Sequence, residues 1–437
     1  MASYVVNTKE QREKMLAEAG IDEQSFYASI PQDVKLQRPL NLPKGKSELE
    51  VLRHMKHLAS LNTVYDVVLR GAGSESHFIP AVVRQLSARE EFVTAYTPYQ
   101  AELSQGILQS IFEYQSSICA ITGMDACNAS VYDGASAVAE AVNMTGDRKR
   151  TVALLPKSIH PETLETVKTY TQWLPITVKE VEIKDGKVDV ESLKSLLTQE
   201  TACLVLQQPN YFGILEDVEG LAKLAHEAGA KVIVSANPMT LGVLKTPREQ
   251  GADIAVGEAQ PLGLPMSFGG PYLGYMATTT DMVRRLPGRI VGQTKDLDGK
   301  RAFVLTLQAR EQHIRREKAS SSICSNQAHC ALTAGMYLAA MGPQGLKDVA
   351  THCTSKAHYL FNQLSTLGFK LRYDSSFFHE FVTDGPLSSH KVEDVLSSHG
   401  ILSGLPLDET GILWCVTETS TKNDLDRVVS ILKEVLA

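Results

Sequence analysis

Long unbroken apolar runs are missing from this sequence. One long stretch without a charged residue, Ala259 to Thr280, is interrupted by Pro261, Pro265 and Pro271 and by Gly263, Gly269, Gly270 and Gly274. A bilayer-spanning helix needs roughly 20 apolar residues without such breaks, so no membrane span is expected and a buried loop-and-strand segment is read instead. The N-terminus has no basic segment leading into an apolar core, so no signal peptide is read there. Cysteine is sparse, with 7 residues and no Cys-x-x-Cys pair. An odd number of dispersed thiols fits a reducing, cytoplasmic setting. Cys324, His329 and Cys330 are close in sequence, as are His352 and Cys353, but without metal-ligand spacing, so no metal site is expected.

An excess of positive charge is also absent. Lys and Arg number 43 against 50 Asp and Glu, a net charge of −7. Nucleic acid and anionic membrane surfaces recruit basic faces, so neither is expected as a partner. There is no Gly-Lys-Ser/Thr phosphate loop and no Gly-x-Ser-x-Gly elbow. Gly71-Ala72-Gly73-Ser74 is glycine-rich but lacks the rest of a dinucleotide fingerprint.

What is present suits a large core: 437 residues, 43% hydrophobic and 21% charged. Residues 1–70 read as an N-terminal helical arm, with Ser47 and Glu50 as a capping box ahead of Leu49, Leu52, Met55 and Leu58. Residues 71–342 read as a large α/β domain. Its short apolar runs, at 151–155, 176–183, 202–206, 231–234 and 252–256, alternate with helical patterns, which predicts a mostly parallel central sheet. Gly342-Pro343 stops a long helix, and residues 343–437 read as a smaller C-terminal α+β domain.

Three segments hold residues suited to chemistry. Asp133, Gly134, Ala135 and Ser136 open a helix, where free N–H groups attract phosphate or simply accept a cap. Tyr96, Thr97, Tyr99 and Gln100 cluster around Pro98 and suit either a small polar substrate or a buried turn. The run from Gln308 to Lys318 reads as a solvated helix with internal pairs such as Glu311 with Arg315, or as a site where Arg310 clamps an anion.

Several segments together resemble one family. They include Phe92 to Glu102, Ser104 to Gln109, Thr122 to Asp125, Asn128 to Ala135, Gly257 to Gln260, Ser267 to Pro271, Leu286 to Gly292 and Leu305 to Ala319. The chain resembles the first-subunit branch of the P-proteins of the glycine cleavage system. That resemblance implies a fold-type I pyridoxal-phosphate transferase fold. It also implies decarboxylation of glycine, with transfer of the aminomethyl group to the lipoyl arm of the H-protein.

The resemblance places the cofactor-bearing lysine after the run at 252–256 and a carboxylate for the pyridine nitrogen after the run at 231–234. Here those places read Gly257-Glu258-Ala259-Gln260 and Ser235-Ala236-Asn237-Pro238, and no lysine lies between Lys245 and Lys295. The family then implies a second, β subunit that carries the lysine and pyridoxal phosphate, in an assembly of two α and two β chains. This chain alone is expected to be inactive and to hold no cofactor. Asp133 to Ser136 become a vestigial phosphate cup. Tyr96, Thr97, Tyr99 and Gln100, with Arg310 and His313, become candidates for bordering the partner's site. Two alternatives stay open: a self-sufficient enzyme with a displaced lysine such as Lys245 or Lys295, and a purely structural paralogue.

Overall fold

The computed structural model describes residues 6–437 and divides into two compact units at Thr63. In the first unit, Lys9–Ala19 and Glu48–Ser60 are helices. The second starts as the sequence predicts: Ser47 accepts the N–H of Glu50, and Glu50 reaches back to the N–H of Ser47.

The second unit, Val64–Ala437, is built on a seven-stranded sheet. Its strands are β1 (Ala126–Cys127), β2 (Val152–Pro156), β3 (Thr177–Val181), β4 (Thr201–Gln208), β5 (Lys231–Ala236), β6 (Ile254–Glu258) and β7 (Gly274–Thr278). The spatial order is β1-β7-β6-β5-β4-β2-β3, and only β7 runs against its neighbours. Both faces are covered. Leu154, Leu204, Leu206, Val232 and Val234 enter one core cluster, while Ala153, Leu155, Cys203, Val205 and Ile233 enter another. Apolar residues at every position, not alternate ones, are what a parallel sheet between two helical layers requires.

A smaller four-stranded sheet follows, with Lys370–Leu371, Glu380–Asp384, Gly411–Cys415 and Leu405–Pro406 in that order. Its core gathers Phe369, Phe377, Phe381 and Trp414, and takes in Val67 and Leu69. Val67–Val68 pairs in parallel with Ile401–Leu402. Residues 328–365 are helical on either side of Gly342, whose φ of 62° breaks the helix beside Pro343. Among the described residues no helix is long and apolar enough to cross a membrane.

Three expectations need correction. The alternating run at 176–183 is not one strand. It ends at Val181, and Ile183–Lys184 pairs with Lys187–Val188 across Asp185 and Gly186, both at positive φ, as a two-residue hairpin turn requires. The run from Gln308 to Lys318 is three short turns of helix, not one continuous helix, because Glu311 is extended, with a ψ of 159°, and Arg316 takes positive φ. Glu311 accordingly pairs with Arg289, just before the strand Ile290–Lys295, and not with Arg315. The segment Ala259–Thr280 is buried at Ala259–Leu264 and at Leu273–Thr279, but its tip is open and Phe268 is 99% exposed. Pro265 and Pro271 offer no N–H to a ladder, so the tip cannot join the sheet.

Candidate functional site

A cavity of about 290 Å³ opens at the carboxyl ends of the parallel strands, where ligands bind in sheets of this kind. Ser235, Ala236 and Asn237 at the end of β5 and Glu258 at the end of β6 line it, together with Gly134, His160 and the loop Ala72–Glu75.

Asp133 caps the helix Gly134–Thr145. Its Oδ1 accepts the Ser136 N–H at 2.7 Å, and Ser136 Oγ accepts the Asp133 N–H at 3.0 Å. Of the donors at this helix start, the Gly134 N–H points at Glu258 Oε2, 3.0 Å away. Glu258 Oε1 accepts the N–H groups of Leu273 and Gln260, each at 2.9 Å. Three backbone donors therefore converge on one carboxylate at the place where a helix start would otherwise hold an external anion. Burial nevertheless pushes the Glu258 carboxyl up to about 7, with the three N–H groups opposing and Asp133 adding to the rise. Gly134 is required by this approach, since a Cβ there would meet the Glu258 backbone nitrogen at 2.8 Å.

His160 Nδ1 accepts the Glu162 N–H at 3.2 Å, so Nε2 carries the proton and donates to the Ala72 carbonyl at 2.9 Å. Asn237 donates from Nδ2 to Glu75 Oε2 at 3.2 Å and accepts the Met239 N–H at 3.0 Å. Behind them lie Glu75, His379 and Glu380, all buried. Burial raises Glu380 to about 7, against the pull of His379 and with the push of Glu75. Burial alone would lower His379, but Glu75 outweighs it and holds the imidazole raised.

Pyridoxal phosphate does not fit these residues. Its aldehyde needs a lysine, and its phosphate needs free donors or cations. Among the described residues the cavity is lined by no lysine or arginine, five of its residues are Glu or Asp, and the Gly134 N–H is taken by Glu258.

The other sequence candidates lie elsewhere: none of Tyr96, Thr97, Tyr99, Gln100, Arg310 and His313 lines this cavity. Tyr96 is 96% exposed, and Thr97 and Gln100 are exposed beside it. Thr97 takes a φ of 51° and its carbonyl accepts the Tyr99 N–H at 2.8 Å, making a tight turn over Pro98. Tyr99 is tied down. Its hydroxyl accepts from Asn326 Nδ2 at 2.9 Å, and the Arg289 guanidinium lies 5.3 Å from its ring centre. Arg289 pairs with Glu311, and exposed His313 stands 3.8 Å from the same carboxylate, so Tyr99 and His313 share one patch through that pair. Arg310 does not join them. It is buried, and it donates to the carbonyls of Leu307 at 3.1 Å and Gly288 at 2.7 Å.

Sequence reasoning passed over Glu258, Glu75, His160, His379 and Glu380. One signal was available. Gly71 is glycine because a Cβ there would lie 2.4 Å from Glu380 Oε1, so a glycine-rich loop without a fingerprint still marked a close approach.

A family profile described as "Glycine cleavage system P-protein" matches residues 2–432. Among curated relatives, a protein of Desulfitobacterium hafniense named "Probable glycine dehydrogenase (decarboxylating) subunit 1" is 46% identical, over 99% of this chain and 100% of its own length. A protein of the same name from Moorella thermoacetica is 47% identical over 100% of both. A crystal structure of glycine decarboxylase (P-protein) of the glycine cleavage system, in inhibitor-bound form, superposes with a TM-score of 0.91 at 40% identity, covering 99% of this chain and 100% of that one. An aspartate aminotransferase of Thermus thermophilus aligns with a TM-score of 0.59 at 15% identity, over 85% of this chain and 99% of its own. That last likeness shows the fold, which is the fold-type I pyridoxal-phosphate transferase architecture.

Proposed function

The chain belongs to the P-protein family of the glycine cleavage system, as a subunit of an enzyme of glycine decarboxylation, and from that premise we propose that it is the half without the cofactor. The observation that carries this reading is the Glu258 carboxylate on the Gly134 N–H, in a cavity lined by no lysine or arginine. A second, β subunit carries the lysine and the pyridoxal phosphate, which supplies the electron sink for breaking the bond between Cα and the carboxylate of glycine. The aminomethyl group then passes to the lipoyl arm of the H-protein. The assembly is two α and two β chains in the cytoplasm, a setting that the seven free thiols suit.

This chain contributes residues at the border of the partner's site. Exposed Tyr96, Thr97 and Gln100 present polar groups from a turn that Pro98 and Tyr99 hold in place. His313 extends the same patch. Asp133 to Ser136 serve their own helix as a cap and not as a phosphate cup.

A displaced lysine finds no support. Lys245 pairs with Glu219 on the surface, Lys295 ends the strand Ile290–Lys295, and neither lines the cavity.

The test is to purify this chain alone and together with its lysine-bearing partner. Absorbance of the cofactor–lysine imine and glycine–bicarbonate exchange are then recorded for each. Both are expected only from the mixture. An imine band and full exchange from this chain alone overturn the reading.

A further inference from the structure

The floor of the same cavity holds three donors that this function does not use. Glu75, His379 and Glu380 are buried, and each offers one ligand atom within 4.8 Å of the others. His379 is 2% exposed, and neither of its ring nitrogens has a hydrogen-bond partner among the described residues. Buried imidazoles are ordinarily satisfied, so two unpaired nitrogens call for an occupant. His379 Nε2 stands 3.8 Å from Glu75 Oε1. That is beyond a hydrogen bond. It suits two ligands flanking an ion. With metal–ligand bonds of about 2.1 Å, tetrahedral neighbours lie about 3.4 Å apart and opposite octahedral donors about 4.2 Å apart.

The carboxylates are also held from outside the cluster. Asn237 Nδ2 donates to Glu75 Oε2 at 3.2 Å, and the Ala72 N–H donates to Glu380 Oε1 at 2.7 Å. Outer hydrogen bonds of this kind orient metal-binding carboxylates. One imidazole among two carboxylates favours zinc, cobalt or ferrous iron over magnesium or calcium, which take oxygen donors alone.

We propose that Glu75, His379 and Glu380 bind one divalent transition-metal ion of the zinc–cobalt class, with a further coordination position open to the cavity. The ion ties the loop Ala72–Glu75 to the start of the strand Glu380–Asp384 and balances the charge of two buried carboxylates. A search by ligand spacing does not find such a site, because Glu75 is remote from the other two in sequence.

The full chain is stripped with a chelator, dialysed against Co²⁺, and its metal counted by mass spectrometry. About one Co²⁺ per chain is expected. His379→Gln and Glu75→Gln should each weaken retention at least tenfold. His77→Gln, in the neighbouring cluster of His77, Cys353 and Glu418, should leave it unchanged. Since a buried substitution can impair folding, crystals of the unsubstituted chain soaked in Zn²⁺ supply a second readout: an anomalous peak between the three side chains. Absence of uptake, retention indifferent to both substitutions, loss on His77→Gln instead, or a peak elsewhere each overturns the proposal.

Discussion

Replacing Glu258 by Gln should change how stability depends on pH. In the folded chain the Glu258 carboxyl sits at about 7, against an ordinary value of 4.5. A group raised on folding costs nothing below its unfolded value, because both states are then protonated. The cost grows as pH rises from about 4.5 and is complete above about 7. At roughly 1.4 kcal/mol for each pH unit, that interval corresponds to about 3 kcal/mol. Glutamine has no proton to lose, so this slope disappears. It also has only one acceptor oxygen. Kept on Leu273 and Gln260, that oxygen leaves the Gly134 N–H facing an NH₂ group, at about 1–3 kcal/mol. The variant should therefore be less stable than the parent at pH 5 and close to it at pH 8. Urea unfolding of both proteins from pH 5 to pH 8 measures the difference. Parallel stability curves across that range would refute the assignment of Glu258 as the buried titrating occupant of the helix start.

Gly134→Ala places a methyl 2.8 Å from the Glu258 backbone nitrogen; a loss of about 1–3 kcal/mol is expected in urea unfolding. Tyr99→Phe removes the hydroxyl that accepts from Asn326 and should lower stability by about 0.5–1.5 kcal/mol. In the assembled heteromer, Tyr99→Phe combined with Gln100→Ala should slow glycine–bicarbonate exchange while the complex stays intact by gel filtration, and unchanged exchange would favour a purely structural paralogue. Arg310→Lys gives up the two-carbonyl grip on Leu307 and Gly288; about 1.5–3 kcal/mol of stability should go, with exchange unaffected once the folded fraction is corrected for.

Local physics was legible wherever it stays local. Ser47 with Glu50 and Asp133 with Ser136 are caps because their bonds span three residues. The runs at 202–206 and 231–234 are strands because apolar residues at every position need cover on two faces. Glycine and proline signals also carried through, as the break at Gly342-Pro343 shows. The charge run at 308–318 misled because helical spacing offered Glu311 a partner in Arg315, while the fold offered Arg289. Arg310 shows the same dependence on the fold. A guanidinium reads as a clamp for anions, and here two of its nitrogens, Nε and Nη2, donate to backbone carbonyls of its own chain.

The sequence by itself determined the α/β class, the family and the missing lysine, since residue identity, periodicity and absence need no coordinates. Only the tertiary structure decided what stands in the lysine's neighbourhood. Glu258 meets the Gly134 N–H because β6 ends beside the start of the helix Gly134–Thr145. Glu75 meets His379 because a loop from one end of the chain packs on a strand from the other. Such meetings depend on register and packing, which no spacing along the chain encodes.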